Sequence, residues 1–141
     1  IEASAGDMGL AVAMVARDLG YRLILTMPEC RTDARCNLLR ALGVQGRIKS
    51  PTYAVMEPYE IDGRAISHFD FYRFDDPREW ADAGFRDVFA APGLKLAEWP
   101  DNAAPVLPVP DWRLQIEPDD TDARQVTVHA LTPHGVLLLP A

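Results

Sequence analysis

The chain is poor in basic residues and poorest in lysine. Against 21 aspartates and glutamates stand 14 lysines and arginines, giving a net charge of −7, and the lysines are Lys49 and Lys95 alone. That deficit argues against a general basic surface that grips nucleic acid through its phosphates, and leaves open action on RNA through a protein partner. Cysteine is scarce as well. Cys30 and Cys36, spaced C-x5-C with no second pair and no nearby histidine, read as free thiols of a reducing compartment rather than as a disulfide or a zinc site. No apolar run approaches the length of a membrane span, and Glu2 and Asp7 spoil a secretory reading of the N-terminus. The expectation is a cytoplasmic protein with no membrane partner. An initiator methionine is also absent, so a fragment or a processed chain is expected. What is present, 141 residues of which 48% are apolar, suffices for the core of one domain spanning 1–141.

Small residues around Gly6 and Gly9 precede the apolar run Leu10–Ala16, which describes a turn leading into a helix that stops at Gly20. Tyr21–Met27, ended by Pro28, reads as a buried strand. Thr32 or Asp33 caps a second helix through Leu42, closed by Gly43. Loop, helix, strand and helix together make an α/β unit. A glycine turn that opens a helix invites phosphate, because its free backbone N–H groups and the helix dipole favour an anion. Here Leu10-Ala11-Val12-Ala13 follows Gly9, where a nucleotide-binding loop needs a lysine for the phosphates and a serine or threonine for the metal. Asp7 would also repel an anion. A plain helix-capping turn is the favoured reading, with phosphate binding the alternative.

The richest stretch is Lys49–Arg73. Thr52–Glu60 and Arg64–Tyr72 carry aromatic and β-branched residues and are joined through Asp62-Gly63, which predicts a hairpin. Alternation places His68, Asp70 and Tyr72 on one face and Phe69 and Phe71 on the other. Ser50-Pro51-Thr52 is forced into an extended approach, either as a loop that offers the Thr52 hydroxyl to a ligand or as a simple strand entry. Asp75-Asp76-Pro77 starts a helix that Gly84 interrupts, and Trp80, Phe85 and Phe89 belong to the core. Leu94–Ala97 is a short buried strand ending at Glu98. Asn102–Pro110 is a connection. Trp112–Glu117 and Arg124–Ala130 form a second hairpin, whose acidic tip is a solvated turn rather than a calcium loop. His129 lies in a strand, His134 in a turn, and Gly135–Leu139 is expected to add a last short strand.

Two resemblances accompany these readings. Residues 1–42, IEASAGDMGLAVAMVARDLGYRLILTMPEC continuing to NLLRALG, resemble the N-terminal region of the cysteine synthase family, best over Gly20–Glu29. That family uses pyridoxal phosphate on a lysine lying upstream of this region, so the cofactor is not expected here. From about Leu38 to Ala141, Ser50-Pro51-Thr52-Tyr53, His68-Phe69-Asp70-Phe71-Tyr72-Arg73 and Glu98-Trp99-Pro100 resemble the TsaE family, the ATPase that supports threonylcarbamoyladenosine formation on tRNA. The chain is thus chimera-like, with a junction near residues 37–43 and a TsaE-like segment over 43–141.

The TsaE resemblance implies an α/β fold, a P-loop NTPase-like mixed sheet with an antiparallel hairpin, here with its P-loop missing or replaced. It implies Mg and ATP as cofactors. It implies tRNA-modification proteins of the threonylcarbamoyl-transfer complex as partners, with no direct nucleic acid contact. By resemblance Asp70 and Glu98 are the catalytic, metal-side acids, Thr52 is the switch residue facing nucleotide and metal, and Trp99 packs beside the nucleotide. His68, Tyr72 and Arg73 would orient Asp70 or touch a partner. The structural alternatives are an Asp70–Arg73 ion pair and a Trp99 that closes the core. Because the P-loop lysine is absent, ATP hydrolysis is expected to be weak or lost. A non-enzymatic chimera, natural or engineered, and a cysteine-synthase-type fragment are the alternatives.

Overall fold

The computed structural model describes residues 23–27, 36, 39–40, 43–49, 51, 54–118 and 124–139. The strands are β1 (Leu23–Met27), β2 (Met56–Ile61), β3 (Arg64–Asp70), β4 (Leu94–Glu98), β5 (Trp112–Pro118) and β6 (Arg124–Ala130). They form one six-stranded sheet in the order β2-β3-β4-β1-β5-β6. β3, β4, β1 and β5 run parallel, and an antiparallel strand closes each edge. The sheet is therefore mixed, as expected. LILTM, an apolar β-prone run, is β1 and lies between β4 and β5, where a parallel strand has neighbours on both sides.

Local chemistry explains the edges of these elements. Asp62 (φ 51) and Gly63 (φ 75) both hold positive φ, the geometry of the two-residue turn that matches the twist of a hairpin. β2 tolerates Pro58 because it is an edge strand. It begins only at Met56, since Val55 (φ 60) turns the chain just before it. Gly43, expected to stop a helix, is in a turn after the helical residues Leu39 and Arg40, with residues 41–42 outside the described ones. Its φ of 103 lets the Val44 N–H reach Leu39 O at 3.0 Å while its own N–H reaches Arg40 O at 2.9 Å, so these two carbonyls are satisfied.

Both faces of the sheet are covered. On one, Ile66, Leu94, Leu96, Trp112 and Leu114 pack with Leu39, Val44 and Leu138. On the other, Phe69 and Ala97 meet an aromatic layer from α1 (Pro77–Asp82) and α2 (Phe85–Ala90). Asp76 caps α1, its carboxylate accepting the Arg78 N–H at 2.9 Å, with Pro77 in the first turn. Gly84 (φ 69) separates the two helices. Trp80, Phe85 and Phe89 are buried as predicted, with Phe69 against Phe89 at 4.6 Å and edge-on to Phe85 at 5.3 Å.

Lys95 lies on this face too. It is 1% exposed, and its ammonium donates to the carbonyls of Ala91, Pro92 and Gly93 where the chain leaves α2. One of the chain's two lysines is thus spent on satisfying backbone.

One expectation fails. Residues 135–139 do not form a strand, and His134 is not in a turn: Pro133–Leu137 is a short helix, α3. Thr132 caps it by accepting the Gly135 N–H at 2.9 Å, and Pro133 takes the first helical position, where its missing N–H costs nothing. Apolar character alone does not distinguish a strand from a capped turn of helix, and the Thr-Pro pair decides it. The tip of the second hairpin, 119–123, the first helix with its glycine turn, and Cys30 lie outside the described residues. Cys36 is a free, half-buried thiol. Among the described residues no helix is long and apolar enough to cross a membrane.

Gly93 gives the sharpest stability prediction. A Cβ there would stand 2.4 Å from Ala65 O, at a φ of +111, whereas nothing lies within 4 Å of a Cβ at Gly63 (φ +75). In urea titrations Gly63→Ala should cost about 1–2 kcal/mol for its left-handed backbone, and Gly93→Ala clearly more, because β3 and β4 must separate. Phe69→Ala, opening a cavity between sheet and helices at a site with 0% exposure, should cost about 3–5 kcal/mol in the same assay.

Candidate functional site

Parallel pairing places β3 and β4 in the register Ile66↔Leu94, His68↔Leu96, Asp70↔Glu98. Residues so paired lie on one face about 4.8 Å apart. The two acids predicted from separate motifs therefore stand in register on one face, at the carboxyl ends of adjacent parallel strands, with Met27 of β1 in register beyond Glu98. In open α/β sheets that end is where ligands bind. Asp70 is 7% and Glu98 2% exposed, an expensive placement for two acids unless partners or a ligand offset it.

The partners differ from those expected. Asp70 Oδ1 accepts the Tyr72 N–H at 3.0 Å, bending the chain as it leaves β3, and among the described residues Asp70 forms no ion pair with Arg73. His68 does not orient Asp70. Its Nε2 lies 2.5 Å from Glu98 Oε1, with both side chains buried. Tyr72 falls beyond the end of β3, outside the alternation, and is 57% exposed. It packs instead against Trp99, ring centroids 5.1 Å apart.

Trp99 follows Glu98 in a left-handed conformation, φ 54 and ψ 48, directly before Pro100. A bulky residue held there stores strain, and such strain gathers at ligand sites. The short 3-10 helix Pro100–Ala103 comes next, and its Asn102 side chain donates to Phe71 O at 2.9 Å and Tyr72 O at 3.2 Å. Asn102 thereby ties the segment after Asp70 to the segment after Glu98, a role that reading 102–110 as a mere connection missed. Thr52 lies outside the described residues, while Pro51 before it is buried and accepts the Val55 N–H at 2.7 Å.

The donor set can be tested against magnesium. Among the described residues no group of three or more His, Cys, Asp or Glu side chains converges as a metal cage. Magnesium asks for less: it binds through one or two carboxylates, keeps several waters, and takes further oxygens from phosphates. Two hard carboxylates at one strand end fit that requirement. They would not make a zinc site, which wants nitrogen and sulfur donors.

A mixed sheet with a parallel centre, helices and loops on both faces, and acids at its carboxyl end defines a P-loop NTPase-like α/β protein. The chain matches the crystal structure of Bacillus subtilis YdiB with a TM-score of 0.71 over 97% of its length and 87% of that chain, at 19% identity. The chain belongs to the TsaE family: the family model described as "Threonylcarbamoyl adenosine biosynthesis protein TsaE" matches residues 29–126. It is 38% identical over 111 residues to the tRNA threonylcarbamoyladenosine biosynthesis protein TsaE of Haemophilus influenzae, covering 79% of this chain and 70% of that protein. The second similarity is partial. A cysteine synthase of Buchnera aphidicola is 35% identical over 82 residues, 55% of this chain but 26% of that enzyme. The TsaE reading is thus favoured over the cysteine-synthase fragment.

The strain at Trp99 predicts an inverted ranking. In loops Ala normally stabilises over Gly by about 0.4–1 kcal/mol through the unfolded chain. At position 99 the left-handed backbone reverses this, so Trp99→Gly should be more stable than Trp99→Ala by about 1 kcal/mol in urea titrations.

Proposed function

We propose that this chain acts in tRNA threonylcarbamoyladenosine formation as a TsaE-type component, with Asp70 and Glu98 as the acidic side of a magnesium and nucleotide site. The observation that supports it most is the register of Asp70 with Glu98 at the carboxyl ends of β3 and β4. Magnesium bound there would neutralise charge on the nucleotide's phosphate oxygens. The residues' own work is to hold. Asp70 accepts the Tyr72 N–H, Glu98 is bonded to His68, and Tyr72 packs against Trp99 in the segments that follow the two acids. In this reading Thr52, outside the described residues, is the switch residue, and Trp99 is assigned to the nucleotide. Protein components of threonylcarbamoyl transfer are the partners in this reading, and the chain makes no general grip on nucleic acid, in keeping with its charge of −7.

Hydrolysis is a separate matter. Phosphoryl transfer is driven by positioning and charge neutralisation at the γ-phosphate. Neither lysine of the sequence suits that task by the usual glycine-loop route: Lys95 is buried against carbonyls, and Lys49 follows Ile48 rather than the glycine of a Gly-Lys-Ser/Thr motif. We therefore expect nucleotide to be held with magnesium while turnover stays close to the no-protein background. Calorimetric titration with ADP and magnesium should show binding that Asp70→Ala abolishes. Magnesium-dependent ATP turnover well above background and lost in Asp70→Ala would overturn the hydrolysis part. Absence of any nucleotide binding, together with failure to capture threonylcarbamoyl-transfer proteins, would overturn the whole reading and leave a non-enzymatic chimeric fold.

A further inference from the structure

The contact the sequence did not anticipate is His68 with Glu98. Along the inner face of β3 and β4 the register pairs are Ile66 with Leu94, His68 with Leu96, and Asp70 with Glu98. His68 thus occupies a core position, 0% exposed, where its register partner is leucine and an apolar side chain would pack without polar cost. It places one ring nitrogen on Glu98 Oε1 at 2.5 Å, while the other, Nδ1, is buried with no hydrogen-bond partner among the described residues. A buried polar atom left unpaired is destabilising, because its lost hydration is not replaced. A histidine kept at that cost is poorly explained as a source of stability. Its polar chemistry is spent on one atom, the carboxylate oxygen of Glu98.

We propose that His68 is a positioning residue for Glu98. Its imidazole fixes the carboxylate's orientation beside Asp70, so that the acid pair meets a divalent cation preformed. The unpaired Nδ1 gives the ring one polar anchor only, which leaves its orientation set by Glu98 and by packing. This inference rests on the magnesium reading of the acid pair. It adds that a residue touching neither metal nor nucleotide sets the site's affinity, as the outer partners of metal ligands commonly do.

Manganese, which electron paramagnetic resonance detects directly, serves as the probe in the presence of ADP. His68→Leu removes the donor. His68→Gln keeps an N–H at comparable reach, and His68→Asn keeps polarity at shorter reach. Each variant is titrated as folded protein, verified by its amide NMR spectrum. His68→Leu and His68→Asn should weaken manganese binding by about 10–100-fold, with His68→Gln restored to within about threefold of the parent. In the ligand-free protein a strongly deshielded His68 Nε2–H proton should be present and should vanish in Glu98→Gln.

If Asp70→Asn abolishes manganese binding while both His68→Leu and His68→Asn bind like the parent, the positioning role is wrong and the acid-pair site stands. Absence of the deshielded proton likewise overturns the His68 role alone. Manganese binding that is indifferent to Asp70→Asn overturns the site itself, and the inference with it.

Discussion

The structure depends on one strand pairing, β3 against β4 in parallel and in register. Every feature of consequence follows from which residues that ladder sets opposite each other. Phe69 against Ala97 leaves room for aromatic rings from α2 on one face, and Asp70 against Glu98 joins two acids on the other. A slip of one residue would send every side chain of β3 to the wrong face, burying carboxylates among phenylalanines. The register is strongly specified because both faces are committed. Gly93, which no side chain can replace without meeting Ala65 O, admits β4 at the required spacing.

Around that pairing the two faces do different work. The aromatic face is a mechanical support, with Phe69, Phe71, Trp80, Phe85 and Phe89 in mutual contact and Lys95 tied to the carbonyls beyond α2. The opposite face is apolar as far as Leu96 and turns polar at His68, Asp70 and Glu98. A polar site at the end of an apolar face sits where a low-dielectric wall strengthens charge interactions and water is partly excluded. Trp99 and Asn102 close the same end. One bends the chain sharply just after the last residue of β4, and the other clamps that bend to the carbonyls of Phe71 and Tyr72.

Similarity to two families within one chain becomes physically intelligible at β1. Leu23–Met27, within the stretch read from the residues as resembling cysteine synthase, takes the place between β4 and β5. A parallel strand flanked on both sides asks for short apolar, β-prone sequence and makes its bonds through backbone. Its demands are met by LILTM whatever the run's origin. The glycine turn of a nucleotide-binding protein is different, because there side-chain identity is the function.

Much of this was legible from residues alone, and for definite reasons. Asp62-Gly63 predicted the hairpin because few dipeptides accept positive φ twice. Asp76-Pro77 and Gly84 predicted the helix boundaries, Gly43 a helix stop, and the period of two placed His68 and Asp70 opposite Phe69. Each is a property of adjacent residues, which a linear sequence carries. Thr132-Pro133 carried the same kind of signal for α3, but the apolar residues after it outweighed the cap in the reading. Register between β3 and β4 was not available, since it is fixed by packing between residues 28 positions apart, as Asp70 is from Glu98. Tertiary structure alone therefore decided that His68 meets Glu98 rather than Asp70, that Tyr72 leans on Trp99, and that Asn102 binds two strand ends together. The sequence by itself determined which chemical groups the protein owns and on which face of its own strand each lies. Which groups meet was settled only when two distant strands came side by side, because hydrogen bonds between strands and the filling of both faces act across space and not along the chain.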